Sequence, residues 1–229
     1  MTGFMLKLIA LVTMIMDHSQ AAFTSLPSEF RIIGRMAFPI YVFLVAEGAR
    51  KTRNIRNYFL RLALFAVISQ YPFGVIFGHL NVFCTLALAV FAIWMCQLLA
   101  GVLNKAVYRV VCLIIVVAAS FFAEWIGTDY GLFGVAVICL VYFCKNKAAQ
   151  VIALGISFLA HYGGLEYLIN NISHIFSEYS GTVFSIWSNA YLNGKGMLRL
   201  LCVLLSVLLV AFYNGKRGPS RRIEWKEWE

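Results

Sequence analysis

The sequence is dominated by apolar stretches that are long enough to cross a lipid bilayer and that recur from Leu8 to Phe212. A helix needs about 20 apolar residues to cross the hydrocarbon core, where every backbone polar group must be bonded within the helix itself. Apolar residues make up 62% of the chain and charged residues only 13%, whereas soluble domains are about a quarter charged. The sequence therefore predicts an all-α, polytopic transmembrane helical bundle and excludes a soluble domain.

About eight spans are expected, in a single transmembrane domain over residues 1–213 that is followed by a basic tail over residues 214–229. The predicted spans lie near residues 4–23, 31–48, 58–76, 81–100, 107–126, 129–144, 148–162 and 196–213. The polar stretch 163–195 is too long for a tight turn, and it is interpreted as an outer loop, a surface helix or a re-entrant hairpin.

Basic residues alternate between the predicted loops, which indicates the orientation of the chain. If the N-terminus is cytoplasmic, all but four of the 19 Lys and Arg residues lie in or near cytoplasmic segments. The exceptions are Arg31, Arg35, Lys195 and Arg199. The same distribution argues against a nucleic-acid surface despite the formal net charge of +9. Both termini are therefore predicted to be cytoplasmic, in a protein of the bacterial cytoplasmic (inner) membrane that contacts lipids and binds no nucleic acid.

Polar and ionisable side chains inside a span are costly unless they are paired or hydrated, so they mark candidate sites. They are concentrated in the first three spans, at Lys7, Asp17, His18, Arg31, Arg35, Glu47, Arg61 and Gln70. Lys7 and His18 are eleven residues apart, which places them within about 20° of one helix face and about 16 Å apart along its axis. These two residues are expected to line one channel.

His18 is the candidate general base, because the pKa of histidine lies nearest neutrality. Burial favours the neutral imidazole that a base requires, whereas the nearby Asp17 carboxylate opposes it, and both outcomes stay open. Asp17 points about 100° away from His18 and is placed to pair with a neighbouring span, where Arg31 and Arg35 share a face. Arg35 is the preferred candidate to stabilise charge on a carbonyl oxygen. A packed structural network of Asp17, His18 and Arg35 is the alternative.

The densest basic loop follows the second span, and it is interpreted as a lipid-facing anchor or as a docking site for a phosphorylated cofactor. Its candidate cofactor-binding residues, with the start of the next span, are Arg50, Lys51, Arg53 and Arg61.

Four further residues are candidates for substrate binding: Glu47, Gln70, Asp129 and Tyr130. The Asp129-Tyr130-Gly131 run fits an acceptor site and equally a helix start with an acidic cap. Pro39 and Pro72 are expected to bend their spans. The six cysteines lack metal-binding or pairing spacings, and no metal site is predicted. His161 and His174 are interpreted as structural.

Five stretches resemble the TraX family, whose members are membrane proteins linked to N-terminal acetylation of conjugative pilin. The matching stretches are KLIALVTMIMDHSQ, RIIGRMAFPIYVFLVAEGARKTRNIRNYFLRLALFAVISQYPF, NVFCTLALAV, DYGLFGVAVI and FYNGKRG. They cover most of residues 7–138 and then residues 212–218. In this family the last stretch leads into a further apolar segment, so the charged run after Gly218 predicts that a final span is missing here.

Because this family resembles the wider transmembrane acyltransferases, the resemblance implies an acetyltransferase that uses cytosolic acetyl-CoA as donor. By this resemblance His18 is the catalytic base, and Lys7 and Arg35 help to place the donor or the oxyanion. A transient acetyl-histidine at His18 is the other mechanism that remains open. The implied acceptor is an amine or hydroxyl group of a pilin-like protein, a saccharide, a lipid or a small amine, presented from the membrane or the outer side.

A small transporter is the main alternative function. Its intramembrane pathway would be formed by Asp17, His18, Arg35 and Glu47. The chain shows no internal repeat of the kind that many carriers have, which disfavours this alternative. A purely structural assembly factor would leave the intramembrane charges without a role.

Overall fold

The computed structural model describes residues 1–162 and 194–218, and the regular secondary structure of these ranges is helical. The helices are α1 (Gly3–Ala22), α2 (Glu29–Gly34), α3 (Ala37–Lys51), α4 (Ile55–Phe77), α5 (Val82–Leu99), α6 (Lys105–Trp125), α7 (Gly131–Phe143), α8 (Lys147–Ala160) and α9 (Gly194–Ala211). The predicted all-α class is therefore confirmed. Most of the unassigned stretch 163–195, including His174, and the end of the tail from residue 219 lie outside the described residues.

Within the described ranges, four helical segments are long and apolar enough to cross a membrane. They are Glu29–Lys51, which joins α2 and α3, and the helices Ile55–Phe77, Val82–Leu99 and Lys105–Trp125. The apolar helices α7 and α8 are shorter, with 13 and 14 residues. The chain is thus a membrane-type helical protein, whereas the count of eight spans and the cytoplasmic termini remain predictions.

Four of these helices have an asparagine as N-cap residue. Asn54, Asn81, Asn104 and Asn146 each accept a hydrogen bond from the backbone N–H three residues further on. Such a cap satisfies an N–H group that has no partner in the first turn. Pro39 lies in the first turn of α3, four residues after Arg35, where α2 ends and the Glu29–Lys51 segment is interrupted, and Pro72 lies inside α4.

Helix α3 lies at the centre of the bundle, packed against α1, α5, α7 and α9. Two thirds of the most apolar window of α2–α3 is buried (67%), compared with 11% for α4 and 17% for α6. The side chains of Phe38, Ile40, Val42 and Phe43 form the α3 part of the core. Helices α4 and α6 therefore form the periphery, with apolar faces that suit contact with lipid.

The run Phe212–Gly218 lies against the start of α1, although the two are separated by nearly the whole chain. The backbone N–H groups of Gly3 and Phe4 donate to the carbonyls of Lys216 and Arg217, both at 2.9 Å. These bonds satisfy N–H groups of the first turn of α1 that would otherwise lack partners. They also bring Arg217 next to the face of α1 that carries Lys7.

Candidate active site: three adjoining cavities

The first cavity lies at the end of the bundle where α1 begins and α3 ends, and has a volume of about 590 Å³. The basic pocket is defined here by its polar lining residues Lys7, Glu47, Lys51, Arg61, Tyr213 and Arg217. The Glu47 carboxylate pairs with Lys51 at 2.8 Å, and Lys51 also donates to the Gly215 carbonyl at 2.7 Å. Four cationic side chains therefore face one carboxylate, which gives the pocket a positive character.

The second cavity, of about 390 Å³, continues from the basic pocket between α1 and α4. The apolar cleft is defined by its lining residues Leu11, Met14, Tyr41, Phe73, Phe77 and Leu86. Leu11, Tyr41 and Leu86 also line the basic pocket, so the two cavities adjoin. Its α1 wall carries His18, which means that Lys7 and His18 line adjoining cavities, as the sequence predicts for one channel.

His18 lies at the far end of the apolar cleft against two phenylalanine rings of α4. Its ring centroid is 5.6 Å from that of Phe73, in an edge-on arrangement, and 5.2 Å from that of Phe77. Both phenylalanines follow Pro72, which interrupts the hydrogen bonding of α4 just before them. The imidazole is therefore half-buried beside apolar groups and is shielded from bulk water on that side.

The third cavity is small, about 60 Å³, and adjoins the apolar cleft, with which it shares Met14, His18, Phe73 and Phe77. The polar cluster is defined by its lining residues Asp17, His18, Arg31, Arg35, His79, Asp129 and Tyr130. It contains the three predicted catalytic residues and two of the four predicted substrate-binding residues. The structure thus brings together side chains from α1, from α2 and its C-cap Arg35, and from the α4–α5 and α6–α7 loops.

Asp17 enters the polar cluster at a close approach between α1 and α2. A Cβ atom added to Gly34 would lie 2.4 Å from the Asp17 Cβ, so only glycine fits at this point. The Oδ1 atom of Asp17 is buried and has no hydrogen-bond partner in the described structure. A buried carboxylate oxygen without a partner is costly, so Asp17 is a polar group available to a ligand or a water molecule.

Tyr130 has a strained backbone conformation and is held in the polar cluster by contacts of its side chain and of its loop. Its φ of 63° is the only positive value of a non-glycine residue in residues 1–162 and 194–218. The ring stacks on Phe38 with centroids 3.5 Å apart, and the Arg35 Nη1 donates to the Tyr130 hydroxyl at 3.5 Å. The Thr85 hydroxyl donates to the Asp129 carbonyl and fixes the preceding peptide. Strain maintained by such contacts is typical of functional positions.

Asp129 lies in the loop between α6 and α7, next to Tyr130. Its backbone N–H donates to the Leu80 carbonyl at 2.8 Å, which joins this loop to the one between α4 and α5. Burial raises the pKa of the Asp129 carboxyl to about 6, although the positive charges of His79 and Arg35 act in the opposite direction. This carboxyl therefore titrates closer to neutral pH than an exposed aspartate.

A larger polar cavity, the vestibule, lies on the other side of the polar cluster and has a volume of about 1020 Å³. It shares Arg35, Asp129 and Tyr130 with the cluster. Its other polar lining residues include Glu124, Ser157, His161, Tyr162 and Arg199. Arg35 and Tyr130 therefore stand between the His18 side and the vestibule, and Tyr162 interacts with both of them.

Three of the predicted site residues lie elsewhere or are occupied by structural bonds. Arg50 donates from Nη1 to the carbonyls of Val141 and Tyr142 at 2.9 and 3.0 Å, which fixes its guanidinium at the end of α7, outside the lining of the basic pocket. The Gln70 amide bonds Asn81 and the His79 carbonyl and holds the α4–α5 turn. Arg53 is exposed outside the lining of the basic pocket. Glu47 lies in the basic pocket, at the opposite end from Asp129.

Several residues of these cavities were not among the predicted site residues, and His79, Tyr162 and Arg217 are examples. His79 follows the third predicted span at the same end as Asp129, and its place in a polar break was the available signal. Arg217 is part of the FYNGKRG run, which marked the resemblance without indicating that it reaches the basic pocket. No sequence signal singled out Tyr162.

Comparison with known proteins identifies the family of this chain. The sequence model of the TraX family, described as "TraX protein", matches residues 2–223. A relative from Dichelobacter nodosus, "Probable fimbrial assembly protein FimC, serogroup H1", is 29% identical over 95% of this chain and 86% of its own length. No solved structure matches the chain at a significant level. Since the family match spans the basic pocket, the apolar cleft and the polar cluster alike, this integral membrane protein belongs to the TraX family.

Proposed function

We propose that this protein is a transmembrane acetyltransferase that moves an acetyl group from cytosolic acetyl-CoA to an amine or hydroxyl acceptor at the membrane or its outer side. The observation that carries the proposal is the row of adjoining cavities: the basic pocket, the apolar cleft and the polar cluster. Their order suits the three parts of the donor, which are its phosphates, its long neutral arm and its thioester.

The basic pocket suits the phosphates of the donor. The side chains of Lys7, Arg61 and Arg217 converge there from α1, α4 and the terminal run. Guanidinium groups bind phosphate oxygens in pairs, and an ammonium adds a point charge. Since Lys7 and His18 are about 16 Å apart along α1, a donor anchored at Lys7 would extend its arm through the apolar cleft and reach His18 with its thioester.

The chemistry assigned to the polar cluster is acyl transfer with a general base. His18 takes the proton of the acceptor amine or hydroxyl as that atom attacks the thioester carbonyl carbon. The C–S bond then breaks, and the leaving thiolate takes the proton back from His18. Arg35, oriented by Tyr130, stabilises the negative charge on the carbonyl oxygen. Attack by His18 itself, with a transient acetyl-histidine, uses the same geometry.

The vestibule is the proposed acceptor site, because it reaches Arg35 and Tyr130 from the side opposite the donor path. Glu124 and Asp129 place two carboxyl groups there, and Arg199 adds a positive charge. The name of the Dichelobacter relative, a probable fimbrial assembly protein, supports a pilin-like acceptor. A saccharide, a lipid and a small amine remain the other acceptor classes.

A small transporter is the second candidate, because the adjoining cavities carry ionisable groups at both ends of one path. Transport and transfer differ in one respect. A transferase cleaves the thioester, whereas a transporter moves its substrate intact.

The test is calorimetric binding of acetyl-CoA to the detergent-solubilised protein, with thioester hydrolysis measured on the same samples. Wild type is compared with His18→Ala, with Arg35→Ala and with the control Arg53→Gln, a charge change outside the basic pocket. We expect micromolar binding in all four and loss of hydrolysis in the first two variants. A folded wild-type protein that binds no acetyl-CoA, or that carries it intact into proteoliposomes, would refute the transferase.

A further inference from the structure

We infer that the groove between α6 and α7 binds one acyl chain of an anionic phospholipid. This groove, of about 640 Å³, shares Leu132, Phe133 and Ser157 with the vestibule, and no residue with the basic pocket, the apolar cleft or the polar cluster. Helix α5 packs against both α6 and α7 and lies between the groove and α4. The inference rests on the lining, the exposed rims and the charge of the groove itself, so it does not depend on the proposed function.

The groove has the length and the lining that an acyl chain requires. On α6 it extends from Tyr108 to Phe121, which is about 20 Å of helix, and on α7 from Leu132 to Phe143. One leaflet of a bilayer is about 15 Å of hydrocarbon, so the groove can take an extended chain of that leaflet. Its lining is almost entirely carbon, and Ser120 and Ser157 are among the few polar side chains.

The groove opens sideways, toward the region that lipid would occupy. Leu113 and Phe121 on its α6 side are 63% and 61% exposed, and Leu140 on its α7 side is 48% exposed. Exposed apolar rims at the periphery of a membrane bundle face hydrocarbon, so a chain enters the groove without leaving the bilayer. At 13 residues, α7 is also shorter than a full span, and a lipid held beside it would cover its apolar face.

Charge at one end of the groove selects the headgroup. Arg109 is the only charged side chain among the described residues that line the groove, and it lies at the end where α6 begins. Lys105 precedes it by one turn, and Lys145 follows the adjacent end of α7. Basic groups placed between helices at the cytoplasmic side bind anionic headgroups, and arginine holds a phosphate through paired donors. The occupant is therefore an anionic phospholipid, with its phosphate at Arg109.

The experiment is native mass spectrometry of the delipidated full-length protein, titrated with phosphatidylglycerol or with phosphatidylcholine of the same acyl chains. Arg109→Gln removes the headgroup partner, and Ala136→Trp fills the groove at mid-length. The matched controls lie on α4, outside the groove: Arg56→Gln at an exposed basic position, and Val67→Trp at a position that is 74% exposed. Size-exclusion profiles establish that each variant is folded.

We expect wild type to prefer phosphatidylglycerol and both α4 controls to match it. Since one basic residue near a membrane surface is worth about 1 kcal/mol, Arg109→Gln should weaken phosphatidylglycerol binding roughly fivefold. It should weaken phosphatidylcholine binding less, because the choline cation offsets the charge of that lipid's phosphate. Ala136→Trp should lower the binding of both lipids. Equal binding of the two lipids by wild type, or a folded Ala136→Trp that binds both as wild type does, would overturn the inference.

Discussion

The basic pocket and the polar cluster both gather charged side chains, but the protein holds the two sets in different ways. The pocket is about ten times larger than the cluster, at about 590 against 60 Å³, and Lys7, Arg61 and Arg217 are exposed along it. In the cluster, one oxygen of Asp17 is buried without a partner, and Arg35 is bonded to a strained tyrosine. Several interchangeable charges suit binding of a polyanion, whereas a few fixed atoms suit chemistry.

Loss of Arg35 should have the largest effect, because Arg35 is proposed to stabilise the negative charge that develops on the carbonyl oxygen. Removing one such donor typically costs about 10² to 10³ in kcat, and we expect that loss in thioester hydrolysis for Arg35→Gln. Acetyl-CoA affinity should stay near wild type. Steady-state hydrolysis and calorimetry on one preparation check both statements. A variant that loses acetyl-CoA affinity but retains kcat would assign Arg35 to binding, and the polar cluster would then not differ in role from the basic pocket.

A methyl group at Gly34 should destabilise the protein at the contact between α1 and α2 beside the polar cluster. The added Cβ would lie 2.4 Å from the Asp17 Cβ, and overpacking of this kind costs about 1–3 kcal/mol. Gly155→Ala is the matched control, since its Cβ would meet the Val207 Cγ1 at an ordinary 3.7 Å. Thermal unfolding followed by size-exclusion chromatography should show a lower Tm for Gly34→Ala than for Gly155→Ala. Equal melting of the two variants would mean that α1 and α2 are not in close contact at Asp17.

One cation removed from the basic pocket should have a smaller effect, because its neighbours remain. We expect Lys7→Gln to weaken acetyl-CoA binding roughly fivefold, the value of an exposed charge–phosphate contact of about 1 kcal/mol. Arg53→Gln, an exposed basic residue outside the pocket, should bind as wild type does. Calorimetric titration of the two variants with acetyl-CoA measures this difference in affinity. An equal loss in both would indicate general attraction by positive charge and no defined pocket.

A further prediction concerns the pH dependence of stability and Asp129. Because its folded pKa is raised to about 6 from the ordinary 3.8, the folded protein holds this proton more tightly than the unfolded chain. The Asp129 contribution to stability therefore falls as the pH rises from about 4 to 6 and is constant above that range. Asp129→Asn should remove this slope, which Tm values of both proteins between pH 4 and 8 would reveal. A Tm difference between them that does not change with pH would contradict the burial of this carboxyl.

Helical periodicity was sufficient to predict the relation between Lys7 and His18, because both residues lie on one helix with a fixed repeat. The apolar stretches likewise predicted where the helices lie, and their polar breaks suggested Asp129 and Tyr130 as site residues. Helix starts were less accurate, since hydropathy does not register a cap. Asn54 places the start of α4 three residues before the predicted residue 58.

The remaining features depend on packing between segments that are distant in the sequence. Arg50 follows the same basic pattern as Lys51, yet it bonds carbonyls 91 and 92 residues away because α3 packs on α7. Arg217 reaches the basic pocket only because Gly3 and Phe4 bond the terminal run. The αL conformation of Tyr130 is stabilised by contacts from Phe38 and Thr85, and a single sequence does not encode such contacts in any local pattern.

The central claim is that the basic pocket binds the donor and the polar cluster carries out the chemistry. Steady-state thioester hydrolysis over a range of acetyl-CoA concentrations tests it most directly, with His18→Gln and Arg217→Gln measured beside wild type. We expect His18→Gln to lower kcat at least about 100-fold with little change in KM, and Arg217→Gln to raise KM with little change in kcat. If both substitutions change the same parameter, or if His18→Gln hydrolyses the donor at the wild-type rate, the claim is contradicted.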